Sequence, residues 1–276
     1  MHMTDQNLLV EINNGVATLI LNRPKVHNAF DDILIVKLIS ALDSAEENDS
    51  VRVVVLTSNG KHFSAGADLN WMKRMAVLSE QENRDDAQKL AELMHRLDNL
   101  NKPTIALVNG ATYGGAVGLV ACCDMAIATA RSRFCLSEVR IGLSPAVISP
   151  FVVAAIGERA SRRFFLTAEA FDAQQADKLG LIQSVAQDEA DLNIQGQALI
   201  AALLKNSPQA ISCTKKLIRQ VGREGINQSI RDYTVNLIAS IRVSEEGQEG
   251  LASFLDKRKP NWIKKIAMNS KDKGDK

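Results

Sequence analysis

Two short stretches place small residues where a ligand could meet bare backbone. One is His62-Phe63-Ser64-Ala65-Gly66-Ala67-Asp68, the other Asn109-Gly110-Ala111-Thr112-Tyr113-Gly114-Gly115-Ala116. Each follows a run that reads as a buried strand, and ligands of parallel α/β sheets bind at the carboxyl ends of strands. Small residues there let a ligand approach the main chain, and a following helix turns free N–H groups toward it. Gly114-Gly115-Ala116-Val117-Gly118 does not satisfy G-x-G-x-x-G, no GxxxxGK[ST] occurs, and Ser64 lacks the flanking glycines of G-x-S-x-G. With dinucleotide, nucleotide and serine-hydrolase signatures absent, two clusters of backbone N–H groups suggest an oxyanion hole. Either loop alone reads more simply as a tight turn.

The elements that must hold these loops follow from periodicity. Leu8-Leu9-Val10-Glu11-Ile12 and Val16-Ala17-Thr18-Leu19-Ile20-Leu21 flank Asn13-Asn14-Gly15, a hairpin signal. An amphipathic helix is predicted over 31–47, with acidic residues at its N-terminus as the helix dipole favours. The β-branched runs 51–56 and 104–108, and more weakly 125–128, read as strands buried on both faces. A helix with apolar steps of three and four is predicted over 80–100. Alternating strands and helices argue for an α/β domain with parallel pairing. Past about residue 186 the strand signals stop. Ser207-Pro208 starts a helix toward Val221, further helices are predicted over 226–240 and 245–256, and the polar stretch 269–276 reads as a frayed end. The division expected is a 1–200 α/β core and a 201–276 helical region.

The 276 residues carry 33 Lys+Arg against 32 Asp+Glu, so charge proposes neither a nucleic-acid nor a membrane partner. No apolar run reaches the length of a spanning helix. The N-terminal residues MHMTDQNLLVE show neither a basic n-region nor an apolar h-region, and a cytoplasmic protein is expected. Cys122, Cys123, Cys135 and Cys213 show no C-x-x-C spacing, and His2, His27, His62 and His95 never fall at i, i+4. No metal site is expected, and the cysteines read as small buried hydrophobes.

Taken with Cys123-Asp124-Met125-Ala126-Ile127-Ala128 and Phe134-Cys135-Leu136-Ser137-Glu138-Val139-Arg140-Ile141-Gly142-Leu143, the two loops resemble the enoyl-CoA hydratase/isomerase (crotonase) superfamily. The resemblance runs from Asn22-Arg23-Pro24-Lys25 to Phe254-Leu255-Asp256-Lys257-Arg258-Lys259-Pro260. Gly66-Ala67-Asp68-Leu69-Asn70-Trp71-Met72 and the stretch 136–150 most resemble bacterial 3-methylglutaconyl-CoA hydratases of leucine degradation, and related isohexenylglutaconyl-CoA hydratases of acyclic-terpene degradation.

This resemblance implies an α/β spiral of ββα units with a C-terminal helical trimerisation region, assembled as a homotrimer or a dimer of trimers. It implies no cofactor, coenzyme A being part of the acyl-CoA substrate. It carries the oxyanion hole onto the N–H groups of Ala67 and Gly115 and acid–base chemistry onto Glu138. Ala65, Asp68, Leu69, Tyr113 and Gly114 would surround the substrate, with Arg23 and Lys25 near the adenosine diphosphate and Lys257 or Lys259 contributed by a neighbouring subunit. Arg140, Tyr113 and Ser149 are candidates for a carboxylated acyl group. Asp68 also stands where an N-cap is favoured, ahead of a helical stretch over 69–75.

Hydrating an α,β-unsaturated thioester requires water at Cβ, a proton at Cα and stabilised enolate-like charge on the thioester oxygen. Two carboxyl groups normally share the proton work. Here Glu138 matches the second family glutamate, whereas Gly118 occupies the position of the first. The following stretch, Pro145-Ala146-Val147-Ile148-Ser149-Pro150, also departs from the family's glycine-rich pattern. A lone glutamate suits a hydratase in which Glu138 plays both parts, the reading favoured by the flanking blocks. It also suits an isomerase with Glu138 as single proton shuttle. An RNA-binding or non-catalytic scaffold is a different class, opposed by the balanced charge and by 4% aromatic residues.

Overall fold

The computed structural model describes residues 7–263, so the stretch 269–276 lies outside the described residues. Turn chemistry sets the first two elements. β1 (Leu8–Asn13) and β2 (Val16–Leu21) pair antiparallel from Leu8↔Leu21 to Asn13↔Val16. Asn14 and Gly15 between them have φ of 48° and 83°, the positive values a two-residue type I′ turn needs.

β3 (Val53–Ser58), β4 (Thr104–Val108), β6 (Met125–Thr129) and β9 (Ser184–Ala186) extend this sheet in parallel, in the order β1-β2-β3-β4-β6-β9. Side chains of a strand alternate between faces, and both faces here are dry. Val54, Leu56, Ala106 and Val108 enter a large core with α1 (Asp32–Glu47), α3 (Glu80–Asn99) and α4 (Gly115–Cys122). Val53, Val55, Ile105 and Leu107 enter a second core with Leu192 and Ile200 of α7 (Glu189–Leu204). Residue 200 therefore falls inside a helix packed on the sheet, and the core runs on to Leu204, past the expected division after 200. No helix of the described residues is long and apolar enough to cross a membrane.

A second sheet of three short strands escapes periodicity analysis. β5 (Ala111–Tyr113) pairs parallel with β7 (Arg133–Cys135), and β7 antiparallel with β8 (Phe171–Asp172). β5 lies inside the stretch 109–116 that reads as one loop in sequence. α2 (Leu69–Met75), α5 (Ser149–Thr167) and α6 (Ala173–Leu179) complete the core.

The appendage is α8 (Pro208–Arg223), α9 (Gln228–Val243) and α10 (Glu245–Leu255), with Ser207 capping α8 through its bond from Ala210 N–H. Lys215 anchors it, donating to Asp124 Oδ2 at 2.7 Å while that oxygen also accepts from Thr104 N–H. Val235, Val243, Phe254 and Leu255 of α9 and α10 are exposed.

Candidate active site

The first loop leaves β3 and is stitched to β5. Ser64 N–H donates to the Ala111 carbonyl and Tyr113 N–H to the Ser64 carbonyl, both at 3.0 Å. Gly66 has φ 89°, and a β-carbon there would stand 2.9 Å from the Tyr113 carbonyl, so only glycine fits this crossing. On its other side Phe30 N–H donates to Gly66 O and Asp68 N–H to Phe30 O, each at 2.8 Å. These bonds bracket Ala67 and leave its own N–H out of the ladder; among the described residues no acceptor takes it.

Asp68 closes the loop as the N-cap of α2, accepting from Asn70 and Trp71 N–H. Burial pushes its carboxyl up, but those two bonds and the Arg23 guanidinium outweigh this and hold it below the usual range. Arg23 is committed here: Nη2 lies 3.0 Å from Asp68, and Nη1 lies 3.1 Å from Asp31 and donates to the Ala29 carbonyl. Side-chain exposures of 16% for Arg23, 12% for Asp31 and 8% for Asp68 make this a largely buried clasp. Arg23→Ala is therefore expected to lower unfolding free energy by about 3 kcal/mol, since two carboxylates lose their cation. Denaturant midpoints would read this. An unchanged midpoint with a raised KM for every acyl-CoA would assign the guanidinium to the ligand instead.

The second loop holds α4 against the first. Ala111 N–H donates to His62 Nδ1 at 3.1 Å, and Gly114 N–H to the Cys135 carbonyl at 2.8 Å. Gly114 has φ 54° and ψ −125° and caps α4 without any side-chain bond. Gly115 then starts the helix directly on the Phe30 ring, which a β-carbon would meet at 2.8 Å. As the first residue of α4, Gly115 directs its N–H outward from the positive end of the helix dipole.

Glu138 arrives from β7, on a 3-10 turn (Glu138–Ile141) that Gly142 ends with φ 76°. Its Oε1 lies 3.1 Å from the place a Gly114 β-carbon would take. Oε2 is buried with no hydrogen-bond partner among the described residues. Burial pushes the Glu138 carboxyl up, opposed by a bond from its own backbone. One proton-carrying group thus stands beside two loops whose N–H groups at Ala67 and Gly115 are open, an arrangement able to stabilise an oxyanion while moving a proton on the neighbouring carbons.

The remaining expected residues fall around this centre. Ala65 is exposed and donates its N–H to the His27 carbonyl, Leu69 is exposed on α2, and Tyr113 is half-buried on β5. Lys25, exposed, lines a cleft of about 340 Å³ with Asn7, Asn22 and Arg23. Arg140 Nη2 donates to the Ala168 carbonyl at 2.6 Å, and Ser149 Oγ to the Ala146 carbonyl. Lys257, exposed just past α10, bonds within the appendage through its N–H to Phe254 O. Burial pushes the thiol of Cys123 up to about 12 and that of Cys122 well up, so neither is an activated nucleophile.

Phe30 was not singled out by sequence reasoning, and Ile148 only as one member of the divergent stretch 145–150. Phe30 floors the oxyanion loop. Ile148 packs on Gly118: a β-carbon at Gly118 would lie 2.7 Å from Ile148 Cβ and closer still to its Cγ2. Neither belongs to a chemical motif, and only the fold brings them to the loops.

Comparison with known proteins agrees with this geometry. A family model described as enoyl-CoA hydratase/isomerase matches residues 11–265. The 2,3-dehydroadipyl-CoA hydratase of Escherichia coli is 31% identical, over 92% of this chain and 98% of its own. The trans-2-decenoyl-[acyl-carrier-protein] isomerase of Streptococcus mutans is 31% identical, over 95% of this chain and 100% of its own. The crystal structure of an enoyl-CoA hydratase from Shewanella pealeana is similar with a TM-score of 0.91 and 49% identity, covering 94% of this chain and 96% of that one.

Proposed function

The chain belongs to the enoyl-CoA hydratase/isomerase family, and from that premise we propose that it adds water to 3-methylglutaconyl-CoA, giving 3-hydroxy-3-methylglutaryl-CoA, with Glu138 as its single acid–base group. The observation that carries the reading is the buried, unpartnered Glu138 oxygen beside the two open loops. The thioester oxygen accepts from Ala67 and Gly115 N–H, which strengthens both bonds as enolate charge develops. Ionised Glu138 takes one proton from water, the hydroxyl adds to Cβ, and the same carboxyl returns that proton to Cα on the same face. Every atom of the water ends in the product.

A substrate with a distal carboxylate is supported by the dicarboxylic acyl group named for the E. coli relative. Arg140, two residues beyond Glu138 and steadied by its bond to Ala168, is the cation we assign to it. Arg140→Ala is expected to raise KM for 3-methylglutaconyl-CoA about tenfold, the worth of one charge-assisted hydrogen bond, and to leave crotonyl-CoA turnover nearly unchanged. Equal losses on both substrates would assign the guanidinium to Ala168 alone. Lys25 in its cleft is assigned to the coenzyme A phosphates, and the exposed apolar residues of α9 and α10 to contacts between copies of the chain, through which Lys257 would reach a neighbouring site.

A second reading, isomerisation of a 3-enoyl-CoA, is favoured by the apolar packing at Gly118, which leaves no second carboxyl on α4. The deciding experiment sets 3-methylglutaconyl-CoA, crotonyl-CoA and a 3-enoyl-CoA side by side, following conjugated-thioester absorbance and product mass. Falling absorbance with a gain of one water, fastest on 3-methylglutaconyl-CoA, supports the hydratase. Rising absorbance from the 3-enoyl substrate without water uptake replaces it with the isomerase.

A further inference from the structure

The segment that carries Glu138 lands on α4 twice. At its start the Glu138 carboxyl meets the beginning of the helix, with Oε1 3.1 Å from a β-carbon position on Gly114. At its end Ile148, the N-cap residue of α5, packs on Gly118. Gly114 is the cap that precedes α4 and Gly118 is the fourth residue of the helix, so the two landings lie at the same end of α4, about one turn apart along its axis. Ile148 is 2% exposed, and a Gly118 β-carbon would also meet Met94 Cε at 3.3 Å. The flank of α4 at Gly118 is filled by hydrocarbon, and packed interiors leave no room for a water to wedge in.

We infer that Ile148 sets the acid–base complement of the site. It plugs the flank of α4 one turn beyond the oxyanion loop, so α4 offers nothing that exchanges protons or water with Glu138, and the chemistry runs through one carboxyl. This rests on Glu138 being the acid–base group proposed above. Replacing the isoleucine by glycine vacates the volume beside Gly118, about one turn along α4 from the end where Glu138 lies, and a carboxyl introduced at position 118 can enter it.

The test combines Gly118→Glu with Ile148→Gly in the full chain, with and without Glu138→Gln. In glutamate-labelled protein followed by carbon NMR, the double variant is expected to titrate as a coupled carboxyl pair whose apparent pKa values differ by more than about one unit, as like charges in reach of each other must. In the Glu138→Gln background the same pair should raise turnover about tenfold above Glu138→Gln alone, at the lower end of general acid–base catalysis. A folded double variant, shown by a cooperative thermal transition, in which Glu138 titrates as in the parent chain would overturn the inference. So would the absence of any recovery in turnover. If Gly118→Glu with Ile148→Gly does not fold, Gly118→Asp with Ile148→Ala gives the same readout with a smaller change of volume. A parent chain that acts on none of the three substrates would defeat the functional reading, while the titration still decides the role of Ile148.

Discussion

Glu138→Gln is expected to lower hydration of the enoyl-CoA by about 10²–10⁴-fold at neutral pH, the range of a lost general acid–base group, and at the same time to raise thermal stability. Gln keeps the shape that rests beside Gly114 but cannot take a proton from water. The stability gain follows from the direction of the pKa shift, which burial drives upward. The folded chain binds the Glu138 proton more tightly than the unfolded chain. Between the unfolded and folded pKa values the native state holds more protons, so stability falls as pH rises through that window. The penalty is complete above the folded pKa and absent below the unfolded value of about 4.3. Thermal melts of the two proteins should therefore separate at neutral pH and converge in acid. The parent's kcat/KM should fall as pH drops through a pKa above the ordinary glutamate range, because the ionised form starts the reaction. Melting curves offset equally at both pH values would remove burial as the source of the shift.

Which parts of this site the sequence discloses depends on how local their cause is. Asn14-Gly15 announces the hairpin because the turn's positive φ values are a property of those two residues. The strand expected over 104–108 has those bounds because a run buried on both faces needs no partner to be recognised. The strand expected over 51–56 lies instead at Val53–Ser58, since its start is set by pairing of Val53 with Val16, and Val51 is buried before the ladder begins. β5, β7 and β8 are too short for a period of two to repeat, so the sheet that aligns Gly114 with Cys135 was not legible. Neither was the clasp on Arg23. The resemblance places Arg23 near the adenosine diphosphate, and only the fold brings Asp31 and Asp68 to its guanidinium. The two glycine loops and Asp68 as a cap could be read because steric need and capping act within a few residues. Glu138 was reached through resemblance, and Ile148 lay within the divergent stretch 145–150 with nothing to mark it among its neighbours, since its meaning is the space it takes beside a glycine on another element.

Removing the Ala67 N–H by Ala67→Pro is the second large effect, an expected loss of about 10²–10³-fold in kcat, equivalent to about 2.7–4 kcal/mol for one oxyanion donor. The substitution isolates the donor because the fold does not use it. The bridge between Phe30 and Ala67 is made by the Gly66 carbonyl and the Asp68 N–H, and both survive. The restriction proline places on its predecessor is lightest for glycine, which has no β-carbon to clash, and Gly66 precedes it. Asp68 still caps α2 and still meets Arg23, so the melting temperature should shift little. The donor's bond is weak to a neutral thioester and strong to an enolate, so the loss should appear in kcat with KM nearly constant. Steady-state kinetics on crotonyl-CoA, with melts of both proteins, separate the possibilities. A raised KM at constant kcat would mean that Ala67 only holds the ground state, and that the charge developing in the reaction is stabilised elsewhere.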